Sequence, residues 1–179
     1  MKNTILDQII RHIRTKKVID EIEEGAIVCD LGCDEGHFLK AISKKILKGY
    51  GFDKKINEKK FGNICLSPWN IENKLNIKAT YITLLAVLEH LNNPNKVIKN
   101  CYRSLEKDGK IIITTPVPKA KIILEILSKI KLIDEQEIKD HKHYFNEKEL
   151  YNLLTESGFN DIKIKKFELG MNTIAIAKK

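Results

Sequence analysis

Nowhere in this 179-residue sequence does an apolar run approach the about 20 residues that a membrane span requires, and Met1 to Leu6 lacks the pattern of a signal peptide. A cytoplasmic location with no membrane partner is the expectation. The four cysteines (Cys29, Cys33, Cys65, Cys101) contain no C-x-x-C pair and fall mostly in apolar runs. They read as buried reduced thiols, which argues against disulfides and zinc. Internal repeats, low-complexity tracts and composition breaks are absent too, so residues 1–179 are expected to form one domain. Aromatic residues are scarce, and none interleave with the basic pairs Lys44-Lys45, Lys54-Lys55, Lys59-Lys60 and Lys178-Lys179. The net charge of +8 therefore reads mainly as solvated surface, with nucleic acid as the lesser alternative.

What is present is a soluble globular composition, 42% hydrophobic and 31% charged, organised around Ala26-Ile-Val-Cys-Asp-Leu-Gly-Cys-Asp-Glu-Gly-His-Phe38. A short apolar run ends on Asp30. Gly32 and Gly36 follow, and Phe38, Leu39, Ile42 and Ile46 then recur at helical spacing. Strand, glycine turn and helix make the first unit of a doubly wound sheet, where such folds bind nucleotides. A dinucleotide fingerprint would read G-x-G-x-x-G; this turn reads Gly32-x-x-x-Gly36 with a carboxylate two residues upstream. Anion would face anion at a phosphate site, whereas a cationic ligand suits Asp30.

The rest of the chain alternates in the same way. Leu6, Ile9, Ile10 and Ile13, then Val18, Ile19 and Ile22, predict one or two helices packed on the sheet within residues 1–24, broken at Arg14 to Lys17. Arg11, Arg14 and Lys16 beside that break read as a solvated face, or as partners for a ligand carboxylate. Lys48 to Asp53 is a second strand, followed by a crossover too short for a full helix. Phe61 to Leu66 is the third, interrupted by Gly62 and Asn63. Thr80 to Leu85 is the fourth, Asn93-Pro94 opens a helix ended by Asp108-Gly109, and Lys110 to Thr115 is the fifth. Ile122 to Ile130 predicts another helix, and Asp134 to Tyr144 links it to one capped by Asn146 and Glu149 and stopped at Ser157-Gly158. Ile162 and Ile164 alternate with lysines in a half-wet strand, and a Leu169-Gly170 turn returns Met171 to Ala177 antiparallel to it.

The segment D-L-G-C-D-E-G resembles motif I of the class I methyltransferases that use S-adenosylmethionine (SAM), of the small-molecule type (methyltransferase types 11 and 12). Asp34 stands where the middle glycine is usual, and Thr80 where the fourth strand usually starts with an acid. The stretch L-L-A-V-L-E-H-L is similar to the family's V-L-E-H-[LV] form. The resemblance implies an α/β, Rossmann-like seven-stranded sheet of order 3-2-1-4-5-7-6, with an antiparallel last strand and a trimmed second αβ unit. It implies a methyl transfer to an oxygen or nitrogen of a small molecule, with residues 116–146 a small substrate-side segment. Alternatives are a SAM-binding module that is non-catalytic or partner-dependent, and an RNA 2′-O-methyltransferase.

The resemblance further implies SAM contacts at Asp30, Gly32, Cys33, Gly36, Asp53, Asn70, Ile71 and Leu85: Asp30 at the ammonium, Asp53 at the ribose, Asn70 and Ile71 at the adenine. Trp69 reads equally as core. Glu89, His90 and His141 are expected beside the transferred methyl, as loop-fixing groups or as base and orienting groups for the acceptor. A third alternative is a metal site. The RNA 3′-end 2′-O-methyltransferases carry E-x-x-E-H and later D-H, whereas this chain reads Ala86-x-x-Glu89-His90 and Asp140-His141, so the first glutamate is missing and no metal ligands are assigned.

Overall fold

The computed structural model of the protein describes residues 4–129, 132–133, 138 and 140–179. Ile130 and residues 134–137 and 139, which carry the end of one expected helix and the acidic part of the link, lie outside the described residues.

Strands β1 (Ile27–Leu31), β2 (Lys48–Asp53), β3 (Lys59–Phe61), β4 (Ile64–Pro68), β5 (Ala79–Leu85), β6 (Leu105–Pro116), β7 (Asn160–Phe167) and β8 (Asn172–Lys178) form one sheet of order β3-β4-β2-β1-β5-β6-β8-β7. Strands β4, β2, β1, β5 and β6 run parallel, and β8 is antiparallel to both β6 and β7. This is the α/β Rossmann-like class expected. Without β3 the order is 3-2-1-4-5-7-6. The eighth strand arises because Gly62 and Asn63 do not interrupt a strand; they turn a hairpin whose first arm, β3, pairs antiparallel with β4 at the sheet edge. No helix is assigned between β2 and β4, so the second αβ unit is trimmed to a strand.

Helices α1 (Ile5–Ile19), α2 (His37–Ile42), α3 (Pro94–Ser104), α4 (Ala120–Lys129) and α5 (Glu147–Glu156) connect the strands. The two-residue period of β6 distributes the core. Ile111 and Ile113 join α3 and α5 on one face through Val97, Ile98, Leu150 and Leu154. Ile112 joins Phe38, Leu39 and Ile42 of α2 on the other. Caps fall where the side chains allow them: Asn93 accepts from Lys96 N–H, and Asn146 and Glu149 exchange bonds in a capping box. Thr80, in place of the usual acid, spans β1 and β5. Its hydroxyl accepts from Ile27 N–H at 2.9 Å and donates to the Ile27 carbonyl at 3.0 Å.

Two expectations change. Strand β6 begins at Leu105, not Lys110, because a left-handed Asp108 (φ 63°) lets the chain re-enter the ladder through an irregular register. The N-terminal segment is one continuous helix, and it does not pack through Ile9 and Ile13, which are exposed. Its described residues bury only Val18 fully; Asp7, Ile10, Arg11 and Arg14 face inward over a cavity.

Asn63 also holds α2, donating from Nδ2 to the carbonyls of Ser43 (2.9 Å) and Ile46 (2.7 Å) just past the helix end. Asn63→Ala leaves both carbonyls without this donor and is expected to cost about 1–3 kcal/mol. In a thermal melt that corresponds to a drop of about 2–4 °C per kcal/mol.

Candidate functional site

The parallel strands direct their carboxyl ends to one edge, where loops, α1 and α4 enclose a cavity of about 610 Å³. After β1 the chain turns at Gly32, whose positive φ of 75° suits glycine. There is no room for a side chain: a β-carbon would lie 2.4 Å from Val87 Cγ2. Gly32 and Cys33 donate their N–H groups to the Phe52 carbonyl at 2.7 and 3.2 Å, tying the end of β1 to that of β2. Asp34 takes the left-handed conformation (φ 48°) that the absent glycine would have taken. Its N–H donates to Asp53 Oδ2 at 3.3 Å, while Asp53 Oδ1 accepts from Lys55 N–H at 2.9 Å. The Asp53 carboxylate is thus held between two loops.

Asp30 is 3% exposed and accepts from Thr83 Oγ1 at 2.6 Å. Burial raises its pKa to about 7; the Thr83 bond opposes the rise and the Asp53 charge adds to it. Gly36 is placed otherwise than expected. It does not line the cavity, and a β-carbon there would press on Leu66 at 2.9 Å, so it starts α2 and makes space for packing. Beyond Asp53, Trp69, Asn70, Ile71 and Leu85 line the wall. Trp69 is no core residue: it is 37% exposed and tilted against Phe52 with ring centres 6.4 Å apart. Asn70 Oδ1 accepts from Glu72 N–H at 3.0 Å.

The opposite wall begins at Ala86, left-handed at φ 57°, whose N–H donates to the Thr114 carbonyl at 2.9 Å. The short helical turn Leu88–His90 follows and sends Glu89 inward, where it is 1% exposed and accepts from Thr115 Oγ1 at 3.2 Å. Burial raises the Glu89 pKa, with the charges of His90 and Arg14 among the opposing influences. The Glu89 carbonyl accepts from Lys142 N–H at 2.8 Å and His143 N–H at 3.2 Å, closing residues 140–145 over the turn.

His90 Nδ1 lies 3.2 Å from the Asp140 carbonyl, which can only accept, so in the neutral ring Nδ1 is the donor and Nε2 has the lone pair. The His141 ring stands edge-on to His90 with centres 4.7 Å apart, its Nδ1 3.0 Å from the Tyr144 hydroxyl. Burial first, and then the charge of His90, lower its pKa to about 4. One ligand atom from each of Glu89, His90 and His141 lies within 4.8 Å of the others. His143 instead fixes a loop, Nε2 lying 3.0 Å from the Leu91 carbonyl.

Residues 6–164 match the family model for a methyltransferase domain. The chain belongs to the methyltransferase domain family. Comparison with curated proteins by sequence gives no match. Among solved structures, the methyltransferase domain is similar to a SAM-dependent methyltransferase of Archaeoglobus fulgidus, at 20% identity and a TM-score of 0.73 over 95% of this chain and 93% of that one. A Thermotoga maritima SAM-dependent methyltransferase shares 16% identity, with a TM-score of 0.70 over 94% and 89% of the two chains. A chain from the complex of the Haloferax volcanii Trm112 methyltransferase activator with a methyltransferase shares 14% identity, with a TM-score of 0.74 over 94% and 90%. At these identities the likeness is one of fold.

Of the residues anticipated from sequence, Asp30, Gly32, Cys33, Asp53, Asn70, Ile71, Leu85, Glu89, His90 and His141 line this one cavity. Arg11 and Arg14, read first as solvated, line it too, and Arg11 reaches Asp34 at 3.8 Å. Glu168 and Asn172 had no sequence signal. Asn172 Nδ2 donates to the Glu168 carboxylate, whose pKa burial raises against the nearby charge of Arg14. Glu168, Leu169 and Gly170 are all left-handed (φ 51°, 54° and 81°), a strained turn that brings this carboxylate to the cavity.

Asp30 gives a testable pH dependence. Because its folded pKa lies above the unfolded 3.8, the folded state holds an extra proton from there to about 7. Its contribution to stability is present below the lower value and is lost as pH rises through the upper one. Asp30→Asn is therefore expected to be more stable than the parent near pH 8, by about 4 kcal/mol, and nearly equal to it near pH 4. Denaturant unfolding at the two pH values checks this.

Proposed function

We propose that this methyltransferase domain binds SAM in the cavity and transfers its methyl group to an oxygen or nitrogen of a small molecule, residues 1–179 acting as one unit. What supports this most is the pair of carboxylates, Asp30 and Asp53, that the ends of β1 and β2 set on one wall around a turn too tight for any side chain at Gly32. SAM supplies a methyl group on a sulfonium, a leaving group that needs no acid. Asp30 balances the ammonium of the methionine moiety, which favours the ionised form that burial alone disfavours. Gly32 and Cys33 bring backbone close to that moiety, Asp53 accepts from the ribose hydroxyls, and Asn70, Ile71 and Leu85 meet the adenine, with Trp69 beside them.

The acceptor side is the wall of Glu89, His90 and His141. An acceptor that arrives protonated must lose that proton as the new bond to carbon forms. His90 suits the role of base better than His141. Its Asp140 bond leaves a lone pair on Nε2, whereas a nitrogen with a pKa of about 4 is a weak base near neutrality and serves better to orient the acceptor. Proximity and alignment supply the rest of the rate.

The closeness of Glu89, His90 and His141 favours a second reading, in which they hold a divalent ion. Two imidazoles and a carboxylate suit manganese, iron or zinc better than magnesium. Ala86 offers no fourth side-chain ligand. An ion there would lower the pKa of an acceptor hydroxyl.

Calorimetry with SAM and with its demethylated product tests the main reading, which fails if neither binds at high micromolar concentration while a nicotinamide dinucleotide does. Asp53→Ala is expected to weaken SAM by about 1.5–3 kcal/mol through lost charge-assisted bonds. His90→Ala is expected to keep SAM affinity and lose turnover; normal turnover with a lower melting temperature would make it a loop-fixing residue. Tight SAM binding without transfer to any acceptor in a broad panel would point to a non-catalytic or partner-dependent module. Salt-dependent retention on RNA would point to an RNA acceptor. A titration in which none of Mn²⁺, Fe²⁺ and Zn²⁺ alters stability or activity removes the metal reading.

A further inference from the structure

Two helices roof the cavity, and both leave isoleucines on their outer sides. α1 turns Ile10 inward beside Arg11 and Arg14, and α4 turns Leu124 and Leu127 inward. An ordinary surface helix would then carry polar residues outside. Here Ile5, Ile9 and Ile13 are 79%, 49% and 44% exposed, and Ile122, Ile123 and Ile126 are 67%, 43% and 54% exposed. The four-residue spacing of the first three makes a single stripe along α1. The Thr4 hydroxyl donates to the Leu132 carbonyl at 2.7 Å, which joins the start of α1 to the segment after α4, and Leu132 is itself 47% exposed.

Charge decides what fits this face. The exposed Lys119, just before α4, and Lys129, at its end, stand one turn before Ile122 and one turn after Ile126 and outnumber the exposed Glu125 between them, and the α1 stripe runs into the exposed Lys16 and Lys17. A second copy would bring two faces of net positive charge together, with Glu125 alone on α4 to oppose the lysines. Nucleic acid would accept the lysines but not the isoleucines, and neither helix carries a Phe, Tyr or Trp on which a base could stack. An apolar stripe bracketed by lysines fits the boundary of a bilayer, where the isoleucines enter the acyl region and the ammonium groups reach headgroup phosphates. We propose that the α1–α4 roof docks on an anionic lipid surface. The contact is peripheral, since among the described residues no helix is long and apolar enough to cross a membrane. The sequence expectation of no membrane partner rested on spans alone. The proposal does not depend on SAM binding.

Flotation of the full chain with vesicles tests it, using phosphatidylcholine alone or mixed with about one third phosphatidylglycerol to supply the negative surface. The protein is expected to float with the mixed vesicles, to stay behind with the neutral ones, and to be released by high salt. Ile122→Glu with Ile126→Glu is expected to lower partitioning about tenfold or more. Ile5→Glu with Ile9→Glu provides an independent variant on the other helix, and circular dichroism reports the folding of both. No flotation with mixed vesicles, equal flotation with neutral ones, or no effect from either folded variant overturns the proposal. So does a concentration-dependent dimer that the α4 variant dissolves, which would assign the face to a second copy.

Discussion

The space missing beside Gly32 governs how the cavity is built. Because Val87 closes over the turn with no room for a β-carbon, the chain passes close enough to β2 for two successive N–H groups to reach the Phe52 carbonyl. Asp53, the next residue, then meets the N–H of Asp34. Val87 also precedes the turn that carries Glu89 and His90. One steric contact therefore sets both walls, the one with the two aspartates and the one with the histidines.

Around that frame the cavity concentrates acid in low dielectric. Asp30, Glu89 and Glu168 all have raised pKa values, and burial is the first cause for each. Such carboxylates are costly unless something cationic faces them. Arg14 does so for Glu89 and Glu168, which explains why α1 turns charged residues inward and leaves isoleucines outside. The helix is placed by electrostatics at the cavity more than by burial, and the inverted face follows from that.

The sheet was legible because its signals are local. Apolar runs ending in Asp30 and Asp53, glycines between strand and helix, and Asn93 and Asn146 before helices each act within a few residues. The extra strand was missed because Gly62-Asn63 can interrupt a strand or turn a hairpin, and only pairing with β4 decides which. α1 was misread because Leu6, Ile9, Ile10 and Ile13 have helical spacing whichever side is buried; the pattern does not say what the helix faces. Glu168 was invisible, since three left-handed residues in a row are not encoded by any strong turn signature. Asp34 and Thr80 departed from the family pattern but kept its geometry, one by adopting the glycine conformation and the other by bonding to Ile27.

The bonds from Lys142 and His143 to the Glu89 carbonyl have a consequence for opening. The segment they hold also carries His141, so lifting it off the cavity separates His141 from His90. A state open by that route is then a state without the assembled histidine pair, and the assembled state is one with that route shut. Opening by that route and the assembled pair exclude one another, and two backbone hydrogen bonds stand between the two arrangements.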